Sequence, residues 1–462
     1  MSPKKIIVFI ITGLVVLGLI IAFVIYSGPT TKTTGPKGPS ELTVWVVGDD
    51  TAGFEPLIAD FKKGNKAYTD TKILFTKFAS YQDYERSLIN VIADGNSPDI
   101  FVVPSTGAGL LESKIEAIPD TFFDGQDLSK NLNRLFDPLL EITPGKTDKG
   151  TEIQLMKLKG APLGYETMGA FYNRSVLDSS VPATWEEFEP TFLESSTNLP
   201  VALGLGSKYI TGAPSVASMF LVQNSIDSIG RMGEATAAQS LDSYFKYAKD
   251  ASSSMGINSL KPEMDQKVLS TTDLFARGKI SVIFGYPTLL REIEYSLKRA
   301  SSESALEKRD LRSAPIPQKQ SGKKVNLARY SYFAVSKFAK ESNAAADFVG
   351  YLTTKTAGDI YSEAFPQYLP ARNDVLETLK TDKRVMNKTF PWVQYDSFLP
   401  AQDVTLVNFD RGLTSEFEQS FGQALDRADQ NPQAILETAQ KQVACRKKQL
   451  LDRTGFEVSC EN

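Results

Sequence analysis

Leu42-Thr43-Val44-Trp45-Val46-Val47 is the stretch from which the fold can be read, because its β-branched and aromatic residues are typical of a buried strand. The turn Gly48-Asp49-Asp50 follows and ends the strand pattern. After it comes an apolar stripe at helical spacing, made of Phe54, Leu57, Ile58 and Phe61. The sequence therefore predicts that the folded part begins with a strand and an amphipathic helix.

The alternation of strand and helix patterns continues for two more strands. Residues 72–78 read as a strand, residues 81–92 carry a second helical stripe that ends at Gly95, and residues 100–103 are a short apolar strand. This βαβαβ order predicts a mostly parallel sheet with helices on both faces. Ligands of such sheets bind outside the carboxyl ends of the strands. Four polar residues follow those ends: Asp49, Asp50, Ser105 and Thr106.

Later elements are less regular. Residues 143–151 are polar and contain Pro and Gly, which predicts a loop, and residues 163–172 resume a strand pattern. Residues 280–284 form a further apolar strand. Near the end, Asn431 followed by Pro432 predicts the start of a helix whose inward face carries Leu436, Ala439 and Val443.

Composition excludes several classes of function. Apolar residues make up 42% of the 462-residue chain and charged residues 23%, as in ordinary globular proteins. The first 40 residues hold four lysines and no acid, so residues 41–462 hold 47 basic and 55 acidic residues. This acidic surplus argues against nucleic acid as a partner. The chain has no His and two Cys, which removes His-dependent nucleophiles and the usual zinc sites. We expect no catalytic residues, metal or cofactor.

The N-terminus predicts a membrane anchor. Residues 6–26 are an uncharged, mostly apolar run of 21 residues, long enough as a helix to cross a bilayer. Lys4 and Lys5 precede it and should remain in the cytoplasm, which places the folded part outside the cell membrane. The alternative is a removed signal peptide, although that class has a shorter apolar core. Residues 27–40, rich in Gly, Pro and Thr, predict a flexible linker.

Cys445 and Cys460 are the only thiols of the chain. Both lie in the last segment of a chain expected outside the cell, so we predict that they form a disulfide. The alternative is two unpaired thiols in a C-terminal tail.

Seven short motifs occur in an order that resembles the extracellular solute-binding proteins of ABC importers, in the sugar-binding group similar to maltose-binding protein. They extend over about residues 41–443: Leu42-Thr43-Val44-Trp45, Gly95-Asn96-Ser97-Pro98-Asp99-Ile100, Gly160-Ala161-Pro162-Leu163-Gly164 with Phe171-Tyr172-Asn173-Arg174, Pro182-Ala183-Thr184-Trp185-Glu186-Glu187-Phe188, Phe275-Ala276-Arg277-Gly278-Lys279, Phe333-Ala334-Val335-Ser336-Lys337 and Leu369-Pro370-Ala371-Arg372.

The resemblance implies an α/β fold of two lobes, each a mostly parallel sheet flanked by helices, with a ligand held in the cleft between them. Lobe 1 would consist of residues 41–163 and 326–378, and lobe 2 of residues 164–325 and 379–443, followed by a C-terminal extension, 444–462. The implied function is non-enzymatic capture of a small polar solute, a carbohydrate, by a monomer that delivers it to an ABC permease in the membrane.

The resemblance also implies which residues bind the ligand. The family's contact positions map onto the strand ends named above and onto four further residues: Tyr165, Glu166, Tyr286 and Trp392. Carboxylates and hydroxyls hydrogen-bond sugar hydroxyls, and an aromatic ring packs on the apolar face of a pyranose. Several of these residues also suit a simple turn or a core position.

Two other functions stay open at this stage. The same two-lobed fold could act as a surface sensor or adhesin, for which a retained anchor is suitable. A glycan-cleaving enzyme would need two carboxyl groups about 5–9.5 Å apart, a distance that a sequence does not contain.

Overall fold

The chain is described by a computed structural model over residues 38–48, 51–146, 152–177, 181–188, 212–249, 270–300, 306–381, 397–399, 403–409, 414–427 and 431–451. The strands are β1 Glu41–Val47, β2 Lys72–Phe78, β3 Ile100–Pro104, β4 Ile115–Glu116, β5 Ile118–Pro119, β6 Leu140–Lys146, β7 Glu152–Leu158, β8 Ala161–Thr167, β9 Gly169–Asn173, β10 Val282–Gly285, β11 Leu311–Pro315, β12 Val325–Ser336, β13 Leu369–Pro370 and β14 Thr405–Val407.

The helices are α1 Glu55–Gly64, α2 Tyr81–Ala93, α3 Ala108–Leu111, α4 Gly125–Asn131, α5 Ala213–Gln223, α6 Ala235–Lys249, α7 Thr271–Ala276, α8 Leu289–Arg299, α9 Ser342–Leu352, α10 Lys355–Ala364, α11 Asn373–Thr381, α12 Thr414–Arg427 and α13 Pro432–Leu451.

The predicted βαβαβ unit is confirmed. Strand β1 lies between β2 and β3 and pairs with both in parallel, while α1 and α2 connect them. Helix α2 begins where the Ser80 hydroxyl accepts a hydrogen bond from the Asp83 backbone N–H, at 3.1 Å. Gly95 follows its end with φ of +73°, a left-handed conformation that glycine adopts without strain. The start of lobe 1 therefore forms as the hydrophobic pattern predicts.

The expectation of mostly parallel sheets is wrong beyond this unit. The large sheet has the order β13-β8-β12-β3-β1-β2, and its members β8, β12 and β13 pair in antiparallel fashion. The sheet of lobe 2, β10-β9-β11, is antiparallel throughout. The reason is the chain path: β8 leads out of lobe 1 and β12 leads back, so these neighbouring strands run in opposite directions.

The loop predicted for residues 143–151 is wrong in part. Residues 143–146 complete β6 and residue 152 begins β7, and the two strands pair from Leu140 opposite Leu158 to Lys146 opposite Glu152. Strand β6 lies at the edge of the sheet β5-β7-β6. An edge strand tolerates Pro144, because an N–H that faces outward is not needed for the ladder.

The buried apolar side chains form separate cores for the two lobes. One cluster contains buried side chains from Leu42 to Tyr165 and again from Tyr332 to Ala371. Two further clusters contain the buried side chains from Met168 to Leu327 and from Phe398 onwards. The chain therefore changes core between Tyr165 and Met168 and between Leu327 and Tyr332. The predicted domain limits at 163 and 325 lie close to these changes and stay predictions.

Both ends of the chain carry expectations that the described residues reach only in part. Helix α13 begins as predicted, because the Asn431 carboxamide oxygen accepts from the N–H of Gln433 at 3.0 Å and the predicted apolar face is buried. Cys445 lies on this helix, whereas Cys460 lies outside the described residues, so their pairing stays a prediction. No helix in the described ranges combines the length and the apolar character needed to cross a membrane; the predicted anchor, residues 6–26, lies outside them.

Arg372, the last residue of the seventh motif, links several segments of lobe 1 through its side chain. Its side chain is only 5% exposed. It donates to the Thr353 carbonyl at 2.8 Å and forms a two-nitrogen contact with the Asp374 carboxylate at 3.0 and 2.8 Å. Its Nη1 also lies 2.8 Å from Asp127 Oδ2. One planar guanidinium thereby links α4, α11 and the segment between α9 and α10.

We predict that Arg372→Ala lowers the free energy of unfolding by about 2–3 kcal/mol, because it leaves a buried carbonyl and a partly buried carboxylate without their charged donor. Arg372→Lys should recover only part of this loss, since a lysine lacks the fork. Urea denaturation followed by circular dichroism measures both. The exposed Arg134→Ala is the matched control, and an equal effect of both alanine variants would contradict the assigned role.

Candidate functional site

The segments that connect the lobes meet at one place. The Thr167 hydroxyl, at the end of β8, donates to the Phe398 carbonyl on another segment of the chain. On β12, the Asn326 carboxamide donates to the Met168 carbonyl at 2.9 Å and accepts from the Met168 N–H at 3.3 Å. A side chain at Gly169 would collide with Phe398, as a Cβ there would lie 2.6 Å from its ring. These segments are therefore closely packed where the chain passes from one core to the other.

Strand β12 is accessible only where it passes between the lobes. It is buried at both ends, whereas Arg329, Tyr330 and Ser331 are partly or fully exposed. Arg329 pairs with Glu166 of β8, and Tyr330 pairs with Tyr165. Because side chains alternate along a strand, Arg329 and Glu166 share one face of this ladder and the two tyrosines share the other. The exposed stretch is therefore the candidate floor of a cleft.

Arg329 and Glu166 form the centre of a polar cluster. Arg329 Nε lies 2.9 Å from Glu166 Oε2, and its Nη2 donates to the Thr288 hydroxyl at 2.7 Å. The Thr288 backbone N–H donates to Glu166 Oε1 at 2.9 Å. The guanidinium carbon lies 3.8 Å from the centre of the Tyr286 ring, a cation–π contact. The Glu166 carboxylate on β8 thus joins β12 and the start of α8.

Hydrogen bonds and an opposite charge surround the buried carboxylate of the cluster. Glu166 is 4% exposed, so its carboxylate needs the charged partner and the two donors that surround it. Burial by itself would lower the pKa of the Arg329 guanidinium, but Glu166, Tyr286 and Glu418 together raise that pKa above its usual value. The position of Glu166 at the N-terminal end of α8 adds a favourable interaction with the helix dipole.

A second carboxyl group lies near this cluster. Glu418 of α12 accepts a hydrogen bond from the Ser215 hydroxyl of α5. Burial raises the pKa of Glu418, and the Ser215 hydrogen bond and the Arg329 charge oppose that shift. The pKa of the Tyr286 hydroxyl is also raised, by burial first and then by the Glu418 charge. The lobe 2 side of the site therefore combines carboxyl groups, hydroxyls and one aromatic ring.

Ser105 and Thr106 supply the lobe 1 side. Ser105 is buried at the carboxyl end of β3, where its N–H donates to the Tyr330 carbonyl at 2.7 Å and its hydroxyl accepts from the Tyr330 N–H at 3.1 Å. Thr106 is half-buried beside it. These contacts place the end of β3 beside β12 at Tyr330, the residue that follows Arg329.

The structure brings together some of the predicted ligand residues and separates another. Glu166 and Tyr286 both contact the Arg329 cluster, and Ser105 and Thr106 adjoin the same part of β12. Tyr165 is fully buried instead, with its ring edge-on to Phe136 at 5.9 Å between ring centres. Its hydroxyl has no hydrogen-bond partner in the part of the chain that is described. The predictions for Asp49, Asp50 and Trp392 lie outside the described residues.

Sequence reasoning missed Arg329, Thr288, Ser215 and Glu418. Arg329 gave the clearest available signal, since it is the only charge in the run Val325–Ser336. A charged residue inside an otherwise apolar strand is rarely buried without a partner. The partner itself lies 163 residues away in the sequence, so that signal identifies one half of the pair.

Two other features contribute nothing to this site. A cavity of about 490 Å³ lies in lobe 1, lined by α1, α9 and the segment before α4, and none of the predicted residues borders it. Among the described residues, no three acids or cysteines lie close enough together to hold a metal ion.

The comparison with protein families identifies what kind of protein carries this geometry. The sequence model of the bacterial extracellular solute-binding proteins matches residues 57–389, well over half of the chain. This chain belongs to that family. The expected resemblance is thereby confirmed. A search of the curated proteins found no match for the chain.

Solved structures of ABC substrate-binding proteins share the fold. An ABC substrate-binding protein of Listeria monocytogenes in complex with cycloalternan is 14% identical, with a TM-score of 0.61, 88% of this chain covered and 99% of the other. A cyclo/maltodextrin-binding protein complexed with maltotetraose is 15% identical, with a TM-score of 0.61 and coverages of 91% and 100%. The sugar-binding protein of Xanthomonas citri is 16% identical, with a TM-score of 0.60 and coverages of 88% and 98%.

We predict that Glu418→Gln raises the melting temperature at pH 7 by about 2 °C and that the gain disappears near pH 4. The pKa of Glu418 is higher in the folded state, so the folded state binds its proton more tightly and ionisation of Glu418 destabilises the fold as pH rises. Thermal unfolding at several pH values tests this. Glu363→Gln, at an exposed position of α10, is the control; a gain of the same size at every pH would refute the explanation.

Proposed function

We propose that this protein captures a carbohydrate in the cleft between its lobes and passes it, unaltered, to an ABC importer. The observation that carries the proposal is the polar cluster around Arg329, Glu166 and Tyr286, which lies where β12 is accessible between two separate cores. Family membership supports the same role, since the structural relatives include complexes with maltotetraose, cycloalternan and acarbose.

The chemistry of the cleft suits a hydroxylated ligand. Carboxylates and hydroxyls at Glu166, Thr288 and Ser105 can accept or donate hydrogen bonds, as sugar hydroxyls require. Tyr286 adds the aromatic surface that saccharide sites commonly contain. Asp49, Asp50, Thr106 and Trp392 remain proposed contacts on the strength of the family pattern, whereas the buried Tyr165 would support the cleft from the core. A hydrolytic function would require two carboxyl groups on either side of a bond, and binding without chemistry is what the family relationship supports.

The proposal includes a tether. Residues 6–26 would hold the protein at the outer surface of the cell membrane, with Lys4 and Lys5 inside, as a monomer beside its permease. The described chain begins at Gly38, whose N–H donates to the Ala67 carbonyl in lobe 1 at 2.9 Å. Residues 27–37 can extend at most about 40 Å, so lobe 1 would stay within that distance of the bilayer.

Saccharide binding is tested with maltotetraose, acarbose, α-D-tagatose and a cyclic glucan as probes. We expect at least one to raise the melting temperature with concentration and to reduce the radius of gyration in small-angle scattering. A ligand at about 100 times its Kd stabilises the folded state by about 2.7 kcal/mol. A polyamine and a peptide serve as comparison ligands. Absence of both effects with every saccharide would overturn the carbohydrate assignment and favour a sensor or adhesin role.

Tyr286→Ala should weaken binding of the best saccharide about tenfold or more, because it removes a ring at the proposed site. Tyr295→Ala is the matched control, since Tyr295 lies on the nearby helix α8 and is 61% exposed. Isothermal titration calorimetry measures both. Equal affinities of the two variants would show that the ligand binds elsewhere.

Deletion of residues 2–26 should release the protein from the membrane fraction of producing cells, whereas the full chain should need detergent for extraction. Fractionation followed by immunoblotting distinguishes the two. N-terminal sequencing of the full chain provides the second readout: a mature protein that begins after residue 26 would establish a cleaved signal peptide instead of an anchor.

A further inference from the structure

One nitrogen atom of the Arg329 guanidinium takes no part in the contacts with Glu166 and Thr288. Its Nε and Nη2 atoms are engaged by Glu166 and Thr288. Its Nη1 donates to no partner within the described ranges of the chain, and 39% of the side chain is exposed. An arginine that served only to neutralise Glu166 would not need to keep this third nitrogen at an accessible surface.

The guanidinium is also held in a fixed orientation. The Tyr286 ring supports its plane at 3.8 Å, and the two hydrogen bonds to Glu166 and Thr288 fix its rotation within that plane. A side chain that is already immobilised loses little further conformational entropy when it binds a ligand. Nη1, which has no partner among the described residues, is therefore a preorganised hydrogen-bond donor.

This donor lies where β12 passes between the two separate cores. Arg329 belongs to the only stretch of β12 that is not buried. The following residue, Tyr330, is hydrogen-bonded through its backbone to Ser105 at the end of β3 in lobe 1. Tyr286 and Thr288 belong to lobe 2. A ligand bound between the lobes would thus lie beside Arg329 Nη1.

Arg329 also changes the role expected for Tyr286. The guanidinium covers one face of the tyrosine ring, so a sugar cannot stack on that face without displacing it. Part of the remaining ring surface packs against the core of lobe 2. On the lobe 2 side of the cleft, the group available to a ligand is therefore the edge of the Arg329 guanidinium, which lies on the Tyr286 ring.

We propose that Arg329 determines ligand specificity by donating a hydrogen bond from Nη1 to an oxygen of the bound saccharide. Glu166, Thr288 and Tyr286 act as positioning residues that hold the guanidinium in place. This inference rests on the proposed function, because it names a contact within the same cleft. It assigns saccharide recognition on the lobe 2 side to a charged donor rather than to aromatic stacking.

The experiment must separate a ligand contact from charge compensation of Glu166. The double variant Glu166→Gln with Arg329→Met removes both charges while keeping similar side-chain volumes, so neither member of this ion pair is left without its partner. Glu166→Gln alone keeps Arg329. Calorimetric titration with maltotetraose, or with the panel saccharide that binds the wild type best, gives the affinities. Circular dichroism and thermal unfolding check the fold of each variant.

We expect the double variant to bind at least tenfold more weakly than Glu166→Gln alone, a difference of about 1.4 kcal/mol, because only the double variant lacks the Arg329 donor. Wild-type affinity of the double variant would overturn the inference, because Arg329 would then only neutralise Glu166. If the double variant does not fold, Arg329→Lys decides. Lysine keeps the charge beside Glu166 but cannot supply Nη1, so a tenfold loss supports the contact and unchanged affinity contradicts it.

Different results would contradict the proposed saccharide binding and the proposed Arg329 contact. A wild-type protein that binds none of the saccharides overturns the proposed function, and this inference with it. A wild-type protein that binds a saccharide while all Arg329 variants bind it equally well leaves the function intact and rejects Arg329 as a contact.

Discussion

The buried carboxylate of Glu166 is the constraint on which the arrangement between the lobes depends. A carboxylate at 4% exposure is costly unless opposite charge and hydrogen-bond donors surround it. Two separate segments meet this requirement: β12 supplies Arg329, and the connection between β10 and α8 supplies the Thr288 backbone N–H and, through the arginine, the Tyr286 ring. The ion pair thereby fixes the alignment of the hinge strands relative to lobe 2.

The two lobes have separate hydrophobic cores, joined by the strands that carry Glu166 and Arg329. Each lobe buries its own apolar side chains, so a change in the angle between the lobes need not disturb either core. The connecting segments are hydrogen-bonded to one another through Thr167 and Asn326 within a short region. Polar side chains accumulate at the same region because the strands there lack a covering layer. The proposed ligand contacts and the segments that connect the lobes therefore lie in the same region.

Much of lobe 1 could be predicted from local pattern. The stripe Phe54–Phe61 and the run 100–103 gave a helix and a strand, and both form as expected, because burial of one face is sufficient to specify them. The pairing of β6 with β7 does not follow from the local pattern, because Pro144 and Gly145 are typical of loops, although an edge strand accepts them. Strand direction was misjudged for the same general reason: an apolar run indicates burial, while its direction depends on the path between lobes.

The sequence by itself determined the first βαβαβ unit, the family, and that Glu166 and Tyr286 belong to a candidate site. It also excluded chemistry that depends on His, since none is present. Only the tertiary structure decided that Tyr165 lies in the core and that Arg329 joins Glu166 to Tyr286. Such a contact depends on the register between β8 and β12, and a shift of one residue would turn Arg329 to the opposite face. Register is set by the packing of both lobes, which no local stretch of sequence encodes.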